Sequence, residues 1–263
     1  MTQLFTPHSV GSLTLPNRLV RSATAERMAD EAGRPLPKMI ALYRQLAEGG
    51  VGLVVSGHMY VHPTGKAHPE MTGIDTDELI PYLCALTDAV HAGGGLAAVQ
   101  INHAGLKSDP EAVPEALAPS AVEDERLAKR TPRSLIIEEI ETLIDAYAQA
   151  ARRAKEAGFD AVQIHAAHGY LVSQFLSPAA NKRMDEWGGS LENRIRFLRR
   201  TAGAVRAQVG ADYPVFVKLG MMDGLEDGLT LEEGQQVVAN LKGMGLDAVE
   251  LSGGFSGKSL VNT

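Results

Sequence analysis

The sequence predicts a (β/α)8 barrel, and three observations carry that expectation. Six near-continuous apolar runs, as parallel strands covered on both faces require, alternate with amphipathic helical stretches along the 263 residues. Polar residues fall at the C-terminal ends of successive runs: Gln100, Asn102 and His103 after the third, His165 and His168 after the fourth, Lys218 after the fifth, Ser252 after the sixth. Barrel strands bring such ends to one mouth, whereas a doubly wound sheet gathers its groups at a switch point behind a glycine-rich first turn. The first run here leads into SATAERMADEAG, which has no such turn.

In chain order, LFTPHSVGSLTLPNRLV places two short apolar segments around a Gly-Ser turn, so a hairpin over about residues 3–16 precedes the barrel. The strands are RLVRSA near residue 20, GLVVSG near 54, LAAVQIN near 98, DAVQIH near 162, VFVKLG near 217 and DAVELSG near 249. Between them, IIEEIETLIDAYAQAARRAKEAG ends in basic residues and a glycine suited to a left-handed C-cap, and TLEEGQQVVANLKGMG opens with Thr230 and Glu233 spaced as a capping box. Segments 103–135 and 168–190 follow the third and fourth strands and are long enough to read as binding loops on the mouth. A barrel of this kind has eight strands, so residues 1–263 read as one domain from which strands seven and eight are missing.

Composition excludes several classes. With 44% apolar residues and a net charge of −7, the chain can bury a core and has no basic block suited to nucleic acid; RFLRR at 196–200 reads as a solvated helix face. The single cysteine, Cys84, supports neither a disulfide framework nor an iron–sulfur site and is expected in the core. There is no signal-peptide pattern and no bilayer-spanning apolar run, so a reducing cytoplasm is the expected setting. Oligomeric state is not fixed by any feature, and a homo-oligomer stays open.

The most informative stretch is DAVQIHAAHGYLVSQF, residues 160–175, with two histidines three apart and Tyr170 two further on. A catalytic zinc would need a third ligand, and none is evident nearby, so no metal is expected. A core reading would require a partner for each of three polar groups in one small volume. A substrate pocket supplies those partners: two imidazole N–H groups hold an oxygen while the phenol delivers a proton to carbon. Lys218 admits three readings: a snorkelling charge, a Schiff-base lysine, or a fixed charge beside an electron-rich cofactor. SGGFSGKS, residues 252–259, departs from a P-loop because Ser252 stands where the first glycine belongs and no helix can follow.

At this point the residues carry a pattern. KEAGFDAVQIHAAHGYLVSQFLSPAANKRMDEWGGSLENRIRFL, around residues 158–197, closely resembles the central signature of the old yellow enzyme family of FMN-dependent NAD(P)H:flavin oxidoreductases. FTPHSVGSLTLPNRLVRSAT, AVQINHAGLKS and VFVKLG resemble its first, third and fifth barrel segments, and the likeness runs from about residue 4 to 255. The resemblance implies FMN at the mouth and NADH or NADPH as reductant. The substrate it implies is an enone or related activated alkene, reduced at its C=C bond. It further implies His165 and His168 as the pair holding the substrate oxygen and Tyr170 as the proton donor. Gln100 would meet the flavin pyrimidine edge and Lys218 its N1 and C2=O, while Ser22, Ala23 and Thr24 would line it through backbone. Gly57 and His58 would sit nearby, with Asn181, Arg183 and Asp185 bracing the following loop. Ala25 stands where some members carry a cysteine. The absent strands would supply the phosphate grip; a fragment of a longer enzyme is the expectation, with weak FMN binding and completion by a partner subunit as the alternatives. A flavin-free lyase using Lys218 and a catalytically silent barrel are the rival readings.

Overall fold

The computed structural model describes residues 3–128 and 130–255. After a 3-10 turn at Gln3–Phe5, β1 (His8–Val10) and β2 (Leu13–Leu15) pair antiparallel through the φ of +57° that Gly11 supplies. The chain continues through β3 (Val20–Arg21), α1 (Pro37–Glu48), β4 (Leu53–Val55), β5 (Met59–Tyr60), α2 (Ile80–Ala92) and β6 (Leu96–Asn102). A two-residue pair, β7 (Leu117–Ala118) with β8 (Arg133–Ser134), lies in the long connection to α3 (Ile137–Glu156). Then follow β9 (Ala161–Ala166), α4 (Leu171–Leu176), α5 (Leu191–Val209), β10 (Val215–Gly220), α6 (Leu231–Leu241) and β11 (Ala248–Ser252).

One parallel sheet runs in the order β11-β10-β9-β6-β4-β3, with β5 added beside β6. This is six strand positions of a (β/α)8 barrel, curled but not closed by hydrogen bonds between β3 and β11. The second position is split: the chain leaves register at Ser56, Gly57 and His58 and returns as β5, pairing Met59 with Ile101. The expected strands are all present, although RLVRSA yields only two paired residues.

Burial divides by face. Interior positions of β6, β9 and β10 are buried throughout, as the unbroken apolar runs predict. β11 alternates instead, leaving Val249 40% and Leu251 60% exposed, because it is an edge with a neighbour on one side only. Outside the sheet, the helices bury the principal core, centred on such residues as Tyr43, Tyr147, Phe175 and Phe197. Inside it, Leu15 of the hairpin packs with Leu53, Val55, Ala98, Ala161 and Phe216, so the hairpin plugs the end opposite the mouth. A half-open cleft of about 300 Å³ lies against this plug, between the unjoined β3 and β11, and reaches Ser22, Gln163 and Glu250. Cys84 lies half-buried against the principal core rather than within it.

The caps follow their sequence signals with one exception. Gly158 takes a φ of +82° after α3, as the C-cap reading expects. Thr230 accepts from the Glu233 N–H at 3.2 Å, but the Glu233 carboxylate turns away from the cap to pair with Arg194. Arg194, buried in α5, also donates to the Leu176 and Gly189 carbonyls, so a buried cation claims the second half of the capping box. Among the described residues, no helix is long and apolar enough to cross a membrane.

Candidate active site

Parallel register, not chance proximity, assembles the mouth. Side chains two apart on a strand share a face, and paired residues on neighbouring strands stand side by side about 4.8 Å apart. Gln100 pairs with Gln163, and one step higher Lys218 pairs with His165 on one side and with Glu250 on the other. Two rows of polar groups therefore face the barrel interior on adjacent strands.

Side-chain hydrogen bonds join the lower row to Lys218 and Glu250 of the upper one, and with Ser22 these groups form one ordered chain, the Lys218 row. Gln100 Nε2 donates to Gln163 Oε1 at 2.7 Å, and Gln163 Nε2 donates to Glu250 Oε2 at 2.9 Å. Glu250 Oε1 accepts from Ser22 Oγ at 2.6 Å and lies 3.0 Å from Lys218 Nζ, which also donates to Ser22 Oγ at 2.8 Å. Burial raises the Glu250 carboxyl, but its bonds from Ser22, Gln163 and Lys218 outweigh that effect and hold it below the ordinary carboxylate range. An ammonium has three N–H donors, and among the described residues Lys218 uses two. Gln100 Oε1 likewise accepts no bond among them.

Above this row stand the groups of the central signature. The His165 and His168 rings are 5.0 Å apart and nearly perpendicular at 86°, and the Tyr170 ring lies 5.0 Å from that of His165. His165 Nδ1 accepts from the Ala167 N–H at 3.3 Å, which assigns its proton to Nε2. His168 Nε2 shares a 2.7 Å hydrogen bond with Ser252 Oγ, so Nδ1 is its remaining polar atom. Burial, then the charges of neighbouring groups, depresses both imidazoles, His165 far below its ordinary value and His168 to about 4. Burial also raises the Tyr170 phenol, an effect only partly offset by Arg27, so the phenol keeps its proton at neutral pH.

The turn that presents these groups is strained. His168 at φ +59° and Gly169 at +71° are successive left-handed residues, a conformation that costs a side chain about 1 kcal/mol or more. Lys107 Nζ donates to the His168 carbonyl at 2.7 Å and fixes this turn from β6's following loop. Further along, Asn181 donates to the Phe175 and Trp187 carbonyls, while Arg183 pairs with Asp185 and reaches the Pro119 and Leu135 carbonyls. These three residues brace segment 168–190, as the sequence suggests.

Several assignments change in detail. His103 belongs to the frame: its Nδ1 accepts from the Gly105 N–H and its Nε2 bonds Thr64 Oγ1, leaving no atom for a ligand. His58 belongs to the cluster, its buried ring 5.0 Å from Tyr170 and 6.0 Å from His165. Gln163, Glu250 and Lys107 are missed by sequence reading. The period-2 rule would have found the first two, since Gln163 shares a face with His165 and Glu250 with Ser252. Residues 256–259 of SGGFSGKS lie outside the described residues. Among the described residues, no three of His, Cys, Asp or Glu are grouped to hold a metal ion.

Ser22, Ala23 and Thr24 follow β3 at the rim, where Thr24 Oγ1 donates to the Ser22 carbonyl. Behind them Gly57 gives its N–H to Glu26 and to the Tyr43 hydroxyl. A methyl group there would collide with the Glu26 carboxylate and come within 2.6 Å of the Thr24 carbonyl oxygen. Gly57→Ala is accordingly expected to cost about 1–3 kcal/mol of stability. A thermal melt that matches the wild type would remove this packing role.

Known proteins give this geometry its context. Residues 3–253 match the NADH:flavin oxidoreductase / NADH oxidase family. The chain is 38% identical over 256 residues to an NADH oxidase of Thermoanaerobacter brockii, covering 96% of itself and 39% of that protein. It is 37% identical to an NADPH dehydrogenase of Halalkalibacterium halodurans, covering 96% of itself and 73% of that protein. An old yellow enzyme homologue of Zymomonas mobilis superposes with a TM-score of 0.86 at 31% identity, over 95% of this chain and 73% of the other. The chain thus spans well under half of one relative and about three quarters of the others. A match over nearly its whole length means that the chain belongs to the NADH:flavin oxidoreductase / NADH oxidase family.

Proposed function

We propose that the protein is an FMN-dependent oxidoreductase that takes hydride from NADH or NADPH and reduces the activated C=C bond of an α,β-unsaturated carbonyl compound. The observation that carries this reading is the placement of two neutral imidazoles and a protonated phenol, with the His168 and Tyr170 rings each 5.0 Å from that of His165, which stands on the strand next to Lys218. Bound FMN supplies the two-electron carrier between nicotinamide and alkene.

The chain's own groups fit that cofactor. The unused third donor of Lys218 suits the N1 and C2=O edge, where a cation favours the charge of the reduced ring, and the free Gln100 carbonyl suits the N3–H. Ser22, Ala23 and Thr24 offer backbone at the rim, and Gly57 holds that backbone in place through Glu26. For the substrate, the His165 Nε2–H and the His168 Nδ1–H, the latter in the tautomer whose Nε2 accepts from Ser252 Oγ, donate to the carbonyl oxygen. Neutral imidazoles give the larger benefit as charge grows on that oxygen, so these bonds lower the barrier more than they tighten ground-state binding. Tyr170 then delivers its proton to the α-carbon.

The rival use of Lys218 as an imine-forming nucleophile would require its Nζ to leave Glu250, at 3.0 Å, and Ser22 Oγ, at 2.8 Å. The deciding experiment is the visible spectrum of the 263-residue protein mixed with FMN, recorded before and after anaerobic NAD(P)H and again after an enone such as 2-cyclohexenone. A protein-bound flavin spectrum that bleaches and then recovers with the enone is the expected result. Retention without recovery would remove the alkene, and no retention at all would remove the flavin reading.

A further inference from the structure

Glu250 is a carboxylate in the barrel interior that the mechanism above leaves without a task. It touches three neighbours, each by a different donor: Ser22 Oγ at 2.6 Å, Gln163 Nε2 at 2.9 Å and Lys218 Nζ at 3.0 Å. A carboxylate that is ionised only accepts, so Gln163 must turn its NH2 toward Glu250. Gln163 Oε1 then faces Gln100 and accepts from its NH2 at 2.7 Å, which in turn leaves the Gln100 carbonyl as the free end. An amide's orientation is ordinarily an open choice of two, but here one anion settles it for two amides in series. The same anion stands opposite the only ammonium in the row, so the charge that Lys218 offers to the mouth is partly cancelled.

We propose that Glu250 is a positioning residue of the flavin site: it sets the net charge beside Lys218 and, through Gln163, fixes which end of Gln100 is left for the cofactor. This rests on the flavin reading above. Both consequences concern binding equilibria. Cancelling part of the Lys218 charge weakens the preference for reduced over oxidised FMN, and fixing the Gln100 carbonyl makes the site demand an N–H at flavin N3.

The experiment is an equilibrium reductive titration of FMN bound to the wild type, Glu250→Gln and Glu250→Asp, each against a reference dye. Removing the negative charge beside Lys218, at a partly solvated position where water screens it, is expected to favour reduced FMN by about tenfold. For a two-electron couple that is a rise of about 30 mV in Glu250→Gln. Glu250→Asp, which keeps the charge, is expected to stay near the wild type. As a second readout, the wild type should bind 3-methyl-FMN, which lacks the N3–H, more weakly than FMN, and Glu250→Gln should lose much of that discrimination because its amides are free to flip.

An unchanged potential in Glu250→Gln would overturn the proposal, as would equal shifts in both variants, which would mark a packing effect. A Glu250→Gln protein that melts cooperatively yet holds no FMN would overturn it too. A wild type that holds no FMN defeats the flavin reading itself, and this inference with it. A wild type that binds and is bleached by NAD(P)H while the variant keeps its potential defeats only the role of Glu250.

Discussion

Replacing Tyr170 with phenylalanine is expected to slow reduction of an enone by about 10²- to 10⁴-fold, the range that a positioned proton donor contributes. Reduction of the bound flavin by NAD(P)H should stay near the wild-type rate, because no proton is delivered to substrate carbon in that half. The separation rests on geometry: the Tyr170 ring lies within 5.0 Å of both His58 and His165 and makes no bond on which the Lys218 row depends. The substitution removes one oxygen from a largely buried ring, so its packing is retained. Stopped-flow traces of the two half-reactions provide the check, and an equal fall in both would withdraw the proton-donor role.

Lowering the pH from 7 to 5 should weaken the fold by about 4 kcal/mol through His58 and His103 alone. Burial is the first cause in both cases and holds each ring at about 3. In the unfolded chain the same rings titrate near 6.5. Their folded values are depressed, so their contribution is fully present above about pH 6.5 and is lost as the pH falls toward the folded values. At pH 5 these two rings bind up to two more protons in the unfolded state than in the native state, and each accounts for about 2 kcal/mol between pH 7 and 5. His165 and His168, also depressed first by burial, act in the same direction. The loss from the two rings is a large part of the whole stability of an ordinary domain, about 5–15 kcal/mol. Urea unfolding at the two pH values measures it directly; equal free energies would mean that these rings are charged or solvated in the native state.

Much of this is legible in the sequence. Strand order, the hairpin and the end of α3 came from periodicity and from residues such as Gly158, whose positions are dictated by local sterics. The His165, His168 and Tyr170 group was legible because three polar side chains closing an apolar run have few structural uses. What stayed hidden depends on neighbours distant in sequence. Gln163 and Glu250 lie inside runs whose apolar majority masked them, and only strand register reveals that they face Gln100 and Lys218. His103 reads as a mouth residue until Gly105 and Thr64 are seen to occupy both its nitrogens. Glu233 reads as half of a cap until Arg194, from a different helix, competes for it.

The bond from Ser22 to Glu250 joins positions 228 residues apart and links the sheet's two outer strands where no backbone ladder does. Contact order this high means that loop-closure entropy must be overcome across nearly the whole described chain before the Lys218 row exists. No hairpin, isolated helix or early intermediate can offer it. Flavin is therefore expected to recognise only the finished sheet and to act on folding by mass action, adding about 2.7 kcal/mol at a concentration one hundred times its Kd. Yellow colour in a purified sample would then count folded molecules, and its loss during denaturation would track global unfolding rather than the fraying of a site.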